Sequence, residues 1–355
     1  MTAAVNRDRP DVAITGFGVL CHGYEGSRPL DALDRFEPTH EELLPGLTVP
    51  VGRVGRLRGH PLRKRFDKLS TIDAFGQYAL IAAGHAIDNA SLPAPDERTE
   101  GAGVIMGTCF GCQEANYQFD QFSLDPEDGL EEARPVVFKS TVDNVPAGWI
   151  SMAFRLRGVN VTFTSGPGAG AEAVMAAVAA IAEGRARHVL TGGAERLIPL
   201  QLAALAEGGE LPAPFAAEGA AVLVLEHPGA AAERGVAPRA RIRGGLRLST
   251  PDHEAIASWL DAGGHAVGDI SIASVVAAMP GRRDEALSDL RRAGFEGTCI
   301  VESDTTGEMF SAQAPLALEL LVERLARLPS QPALGLLHVS GEPGDALLFL
   351  VETCA

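Results

Sequence analysis

Short apolar, β-rich runs recur along this chain at a steady rhythm, and that rhythm is the strongest limit on what it can fold into. A first series reads VAITGFGVL (12–20), GVIMGT (103–108), VNVTFTS (159–165), RHVLTGGAE (187–195) and AAVLVLEH (220–227). A second reads RARIRGGLRL (239–248), SIASVVAAM (271–279), TCIVES (298–303), LGLLHVSG (334–341) and DALLFLVET (345–353). Helical spacing of apolar residues lies between several of them, at 71–90, 169–184 and 314–327. Strands that are nearly continuous apolar runs need cover on both faces, which points to α/β layers with helices on either side of the sheet. The segment 169–184 is apolar almost all round, so it is predicted to be buried between layers. The like rhythm on both sides of residue 238 predicts a duplicated unit, an N-terminal half (1–238) and a C-terminal half (239–355) packed as one compact body.

The stretch NVTFTSGPGAGAEAV (160–174) reads as a strand, a glycine-rich turn and the start of a helix. Such turns suit nucleophiles and anions, because the first N–H groups of a helix point outward unpaired. Yet Pro167 occupies the tip, where a reactive side chain is expected.

A net charge of −16 argues against a nucleic-acid partner. The densest basic cluster, PLRKRFDK (61–68), is short and broken by Asp67, and reads as a solvated face that could at most greet an acidic carrier protein. No apolar run is of membrane-spanning length, and no signal-peptide pattern is present. Five cysteines, an odd number, fit a reduced, cytoplasmic protein. Cys109 and Cys112 form C-x-x-C with no second pair, so buried thiols are the plainer reading, and no metal or cofactor is expected.

Several of these motifs, in this order, resemble the β-ketoacyl synthases of the thiolase-like fold. VAITGFGVL is similar to the opening strand of that family. DAFGQYALIAAGHAIDNASL (73–92) resembles its helix R-x-x-x-F-x-x-x-A-A-x-x-A-L-x-D-A-G-L. STVDNVPAGWISMAFRLRGVNVTF (140–163) is similar to the stretch before its nucleophile, and RHVLTGGAE and EGAAVLVLE (218–226) complete the run. The resemblance implies a five-layer αβαβα arrangement of two duplicated halves with mixed sheets around buried helices.

It also implies where catalysis would sit. The family's turn T-A-C-x-[SG]-G carries a cysteine that attacks an acyl thioester; here the turn is Ser165 to Gly170, and Pro167 takes the cysteine's place. The motif A-H-G-T-x-T falls on ASVVAAMPGRRDEA with Val275 at the histidine, and K-S-x-x-G-H falls on SDTTGE with Ser303 at the lysine and Glu308 at the second histidine. A carboxylate at 308 is expected to repel a developing enolate. The gating loop G-F-G-G-T-N becomes SGEPGD (340–345).

A ketosynthase frame without its cysteine resembles a chain-length factor, the inactive partner that closes the far end of an active ketosynthase's acyl tunnel. This implies an active ketosynthase as heterodimer partner and an acyl carrier protein met through the complex. Family gating residues lie on the helix after the second strand, so Gln113, Asn116, Tyr117 and Asp120 are tunnel-gating candidates, sharing one helical face; the alternative is plain interface packing. The strand VNVTF (159–163) is the expected dimer edge, with Val161, Phe163, Trp149 and Phe154 as interface candidates or, equally, ordinary core.

Three rivals stand beside this reading. An enzyme of altered chemistry could use Ser165 or Cys109, but Ser165 lacks a recognisable histidine or lysine base. Gly166, Gly168 and Ala171 after a strand, with Glu195 ending the next, match a dinucleotide fingerprint, although Gly170 and the mid-chain position fit it poorly. The third is a stand-alone homodimeric acyl-binding scaffold.

Overall fold

Both series of apolar runs form strands. The computed structural model describes residues 3–4, 11–57, 60–61, 66, 72–93, 101–124, 135–249, 252–279, 281–341 and 345–354. The basic cluster at 61–68 lies largely outside these residues. The first half contributes β1 (Ala3–Ala4), β2 (Val12–Cys21), β3 (Tyr24–Gly26), β4 (Thr39–Leu44), β5 (Leu47–Gly52), β6 (Ala102–Gly107), β7 (Asn160–Phe163), β8 (His188–Glu195), β9 (Ala216–Ala217) and β10 (Gly219–Glu226). The second adds β11 (Ala240–Leu248), β12 (Ile270–Ala277), β13 (Thr298–Val301), β14 (Leu334–Ser340) and β15 (Ala346–Thr353). The principal helices are α1 (Ala74–Asn89), α2 (Gln113–Ser123), α3 (Val145–Ala153), α4 (Ala169–Ala182), α5 (Pro199–Glu207), α6 (His253–Ala262), α7 (Arg282–Arg292) and α8 (Gln313–Leu325).

The strands of the two halves follow one plan. The first half runs β7-β6-β8-β10-β2 and the second β13-β12-β14-β15-β11. In each, the second strand of that order pairs parallel with both neighbours and the remaining pairings are antiparallel. Val12 to Ile14 of β2 meet Ala240 to Ile242 of β11, joining the half-sheets edge to edge.

Three apolar clusters fill the spaces. The central one draws Phe17 and Ile105 from one half-sheet, Val276 and Phe349 from the other, and α4 and α8 between them. α1 and α3 cover the outer face of the first half-sheet. α6 and α7 cover that of the second. These are the five layers, and the all-apolar helix lies in the middle one as its composition requires.

Close layer contact is made possible by small residues. A Cβ on Gly18 of β2 would stand 2.0 Å from the Ala82 carbonyl of α1, so only glycine lets this helix settle on the sheet. Asp73 caps α1 by accepting from the Gly76 N–H at 3.1 Å. A small sheet, β4-β5-β9, was not foreseen from the sequence.

Candidate functional site

The turn after β7 is built as the sequence implied. Gly166 takes φ +81°, and Pro167 enters a single 3-10 turn that runs into α4, where its missing N–H costs nothing. The glycines around it hold backbone against backbone. A Cβ on Gly170 would stand 1.8 Å from the Ser311 carbonyl, and one on Gly193 of β8 would stand 2.2 Å from the same atom. The Ser311 segment, just before α8, is therefore pinned directly under the turn. Gly168 in turn faces the Gly341 backbone. These glycines serve chain-on-chain packing, which accounts for the dinucleotide-like spacing without a phosphate.

Two buried acids lie beside this frame. Glu195, at the end of β8, is fully buried and accepts from the Phe110 N–H at 3.2 Å, the Cys109 N–H and the Ser311 hydroxyl. Burial pushes it up to about 7, with those hydrogen bonds opposing the rise. Glu308 accepts from the Phe310 N–H at 2.8 Å through Oε1, while Oε2 has no hydrogen-bond partner among the described residues. Burial raises it to about 8, and the nearby Glu195 adds to the rise. At neutral pH Glu308 is thus chiefly a neutral carboxylic acid. Among the described residues no cation pairs with it, so burial works against the charged form on which the expected repulsion depends.

The other positions singled out from the sequence separate. Ser303 is buried in a four-residue helical turn. Val275 lies mid-strand in the outer apolar cluster of the second half, paired in register with His338. The residue of that segment that packs with Phe310 is Ala278, just beyond the end of β12. Phe110 and Phe310 meet edge to face at 4.8 Å over the two acids.

Ser165 is exposed, and its hydroxyl donates to Glu172 of α4, which is bridged to Arg247 at 2.9 Å. That carboxylate is engaged by a guanidinium, and no histidine or lysine base among the described contacts backs the serine hydroxyl. A cavity of about 170 Å³ adjoins this group, between Gly168, Val339 and Leu347. Among the described residues no group of three His, Cys, Asp or Glu is placed to hold a metal ion. No described helix is long and apolar enough to cross a membrane.

The proposed gating face points outward. Gln113, Tyr117 and Asp120 are exposed on α2, and Asn116 is half-buried, with its amide donating to the Cys112 thiol at 3.4 Å. The opposite face, with Ala115, is turned inward. Of the interface candidates, Val161 is exposed on the outer edge strand β7, while Phe163 packs partly on the central core. Trp149 is half-buried, with the Lys139 ammonium 5.4 Å from its ring centre. Phe154 is different. It is 3% exposed and meets Phe66 edge to face at 5.3 Å, so it belongs to this chain's own core, because the turn after α3 folds it under α1. Met152, on α3 beside this edge, is 62% exposed, and Phe138, 63% exposed, lies against Phe119 of α2 at 5.7 Å.

Sequence reasoning missed Ser311 and Ala278, and it weighed Glu195 only for a nucleotide. A glutamate closing an otherwise apolar strand was the available signal.

Residues 60–228 match the N-terminal domain of β-ketoacyl synthases. The 3-oxoacyl-(acyl-carrier-protein) synthase 2 of Vibrio harveyi is 30% identical over 128 residues, covering 35% of this chain and 30% of that protein. The chain spans between 30% and 35% of the lengths of the first curated relatives it matches. In three dimensions the chain is similar to the ishigamide ketosynthase/chain length factor, with a TM-score of 0.81 and 19% identity over 98% of this chain and 100% of that one. It is also similar to a chain in the complex of a type II polyketide synthase acyl-carrier protein with its ketosynthase bound to the hexaketide, with a TM-score of 0.79 and 17% identity over 98% and 100%. At such identities the two structures speak for the fold alone.

Proposed function

This chain belongs to the β-ketoacyl synthase family, and we propose that within it the protein is a non-catalytic, chain-length-factor-type subunit that pairs with an active ketosynthase in polyketide, polyene or fatty-acid-like biosynthesis. The observation that carries this is the turn around Pro167. Its backbone is held to the Ser311 segment through Gly170 and Gly193, while the tip has no nucleophile. Valine, serine and a buried acid stand at the positions that the resemblance gives to the polarising groups, Val275, Ser303 and Glu308. A frame kept in such detail without its chemistry fits a role in packing and assembly.

The edge of β7 supports the same reading. Val161 lies on a strand with no described neighbour on its outer side, and exposed Met152 lies on α3, which packs against that strand. An uncovered edge beside apolar side chains is a liability for a lone chain and suits a partner that continues the sheet or caps it. In this reading residues 1–238 and 239–355 are the two halves of one compact unit. The outward face of α2, with Gln113, Asn116, Tyr117 and Asp120, meets the growing chain or the partner. The acyl carrier protein is met through the complex, in the cytoplasm.

The hydrogen bond between Ser165 and Glu172 favours one alternative, a stand-alone homodimer with acyl-binding or acyl-transfer chemistry at Ser165. Native mass spectrometry after co-expression with a ketosynthase that retains its cysteine and both histidines separates the two. A one-to-one heterodimer with a product length that depends on this chain is the expected result. A homodimer indifferent to the ketosynthase would sink the proposal and turn attention to Ser165.

A further inference from the structure

Five charged side chains of alternating sign run from the small sheet to α2. Glu218, 0% exposed at the foot of β10, is the centre. It receives Arg53 at 2.9 Å and Arg196 at 2.7 Å, together with the Tyr78 hydroxyl at 2.9 Å and the Val54 N–H at 3.1 Å. Each arginine then forks onto an outer glutamate. Arg53 takes Glu41 of β4 through two hydrogen bonds of 2.8 Å. Arg196 takes Glu114 of α2 through two of 3.1 Å. Fork geometry of this kind fixes direction as well as distance.

The consequence falls on α2. Glu114 stands in its first turn, between Gln113 and the rest of the outward face. On its other flank the helix start is held by Asp143, which accepts from the Cys112 N–H at 3.0 Å. Apart from the buried Ala115 and a tilted contact of Phe119 with Phe138 at 5.7 Å, much of the remaining surface of α2 is exposed, so these two are the polar anchors that orient its first turn. Arg196 directly follows β8, and Glu218 immediately precedes β10. The guanidinium thus ties the helix to the rigid centre of the first half-sheet.

We propose that Arg196 is a positioning residue: by clamping Glu114 it sets the angle of α2, and with it where Gln113, Asn116, Tyr117 and Asp120 meet a partner or an acyl chain. The part concerning the acyl chain rests on the function proposed above; the clamp itself does not.

The network supplies its own matched control. Glu41 and Glu114 are the outer acids of equivalent forks, with side chains 31% and 26% exposed. Glu114→Gln and Glu41→Gln therefore remove the same charge at comparable depth, one on α2 and one on the far side. Hydrogen–deuterium exchange on the intact protein is expected to show residues 113–121 exchanging roughly fivefold faster or more in Glu114→Gln, and unchanged in Glu41→Gln, for the loss of a partly buried ion pair. Arg196→Lys, which keeps the charge and loses the fork, is expected to fall between. Unchanged exchange in Glu114→Gln, or an equal rise in Glu41→Gln, overturns the clamp.

Product lengths from each variant co-expressed with an active ketosynthase test the second half. A shift in Glu114→Gln alone supports it, and faster exchange with unaltered products overturns it. If the unsubstituted pair makes the same products as the ketosynthase alone, the proposed function fails while the exchange data still decide the clamp.

Discussion

Glu218 and Glu308 are withdrawn from solvent to the same degree, at 0% and 1% exposure, and are joined through the backbone where the Ala217 N–H donates to the Glu308 carbonyl at 2.8 Å. Their surroundings diverge within that short distance. Glu218 has two guanidiniums, a phenol and two backbone donors. Among the described residues Glu308 has one backbone donor and an unpartnered Oε2. Burial raises Glu308, and what separates the surroundings of the two acids is whether a cation was brought in at the same time. One region is an ionic braid that orients a helix. The other is a nearly neutral core under a turn that has lost its reactive group.

The comparison breaks most visibly if the braid is cut. Arg196→Met leaves Glu218 one guanidinium short and is expected to cost about 3–4 kcal/mol, read by urea unfolding at pH 7. If the loss is under about 1 kcal/mol, the two acids are more alike than their partners suggest.

Glu308→Gln tests the opposite pole. Below about pH 4.5 both folded and unfolded chains hold this proton, and the acid costs nothing. From there up to about 8 the unfolded chain releases a proton that the folded one keeps, so stability falls as the pH rises. The variant is therefore expected to gain about 2–3 kcal/mol on the native protein at pH 9 and almost nothing at pH 5. An equal effect at both pH values would show that Glu308 does not carry the proton.

His22 should behave in the reverse sense. It is buried edge-on between Phe36 and Phe215, with ring centres 5.2 and 5.3 Å away, and burial lowers it to about 4. Its contribution is intact above pH 6.5 and is lost as the pH falls toward 4. His22→Leu should remove about 1–2 kcal/mol of the acid-side loss, seen in the difference between unfolding at pH 7 and at pH 4.5.

The smallest effect on stability is expected on the exposed end of the braid. Tyr117→Ala, on the outward face of α2, should change stability by less than about 0.5 kcal/mol. If this face gates product length, the same change alters the products of the co-expressed pair; an unaltered product profile argues for simple packing.

Much of the fold was legible beforehand because it depends on local pattern. The ten main strands and the central helix announce themselves as apolar runs bounded by turn residues. α7, with RRDEALSDLRR, does not, because only Ala286, Leu287 and Leu290 supply its apolar contact and its charges hide the period. The small sheet is missed for a related reason. β9 is two residues long and exists only through β5 and the Glu308 backbone. The candidate site divides similarly. Pro167 at the tip was readable as a missing nucleophile, whereas Phe154 needed its contact with Phe66 before it could be assigned to the core.

By itself the sequence settled the layered α/β plan, the buried helix and the absence of a cysteine at the turn, since each follows from residue type and spacing along a short stretch. Only the tertiary structure decided which acids are paired. Arg53, Arg196 and Glu218 are far apart in the chain, and their meeting depends on where β5, β8 and β10 lie together. A carboxyl's charge is set by what reaches it in space, and no spacing along the chain records that.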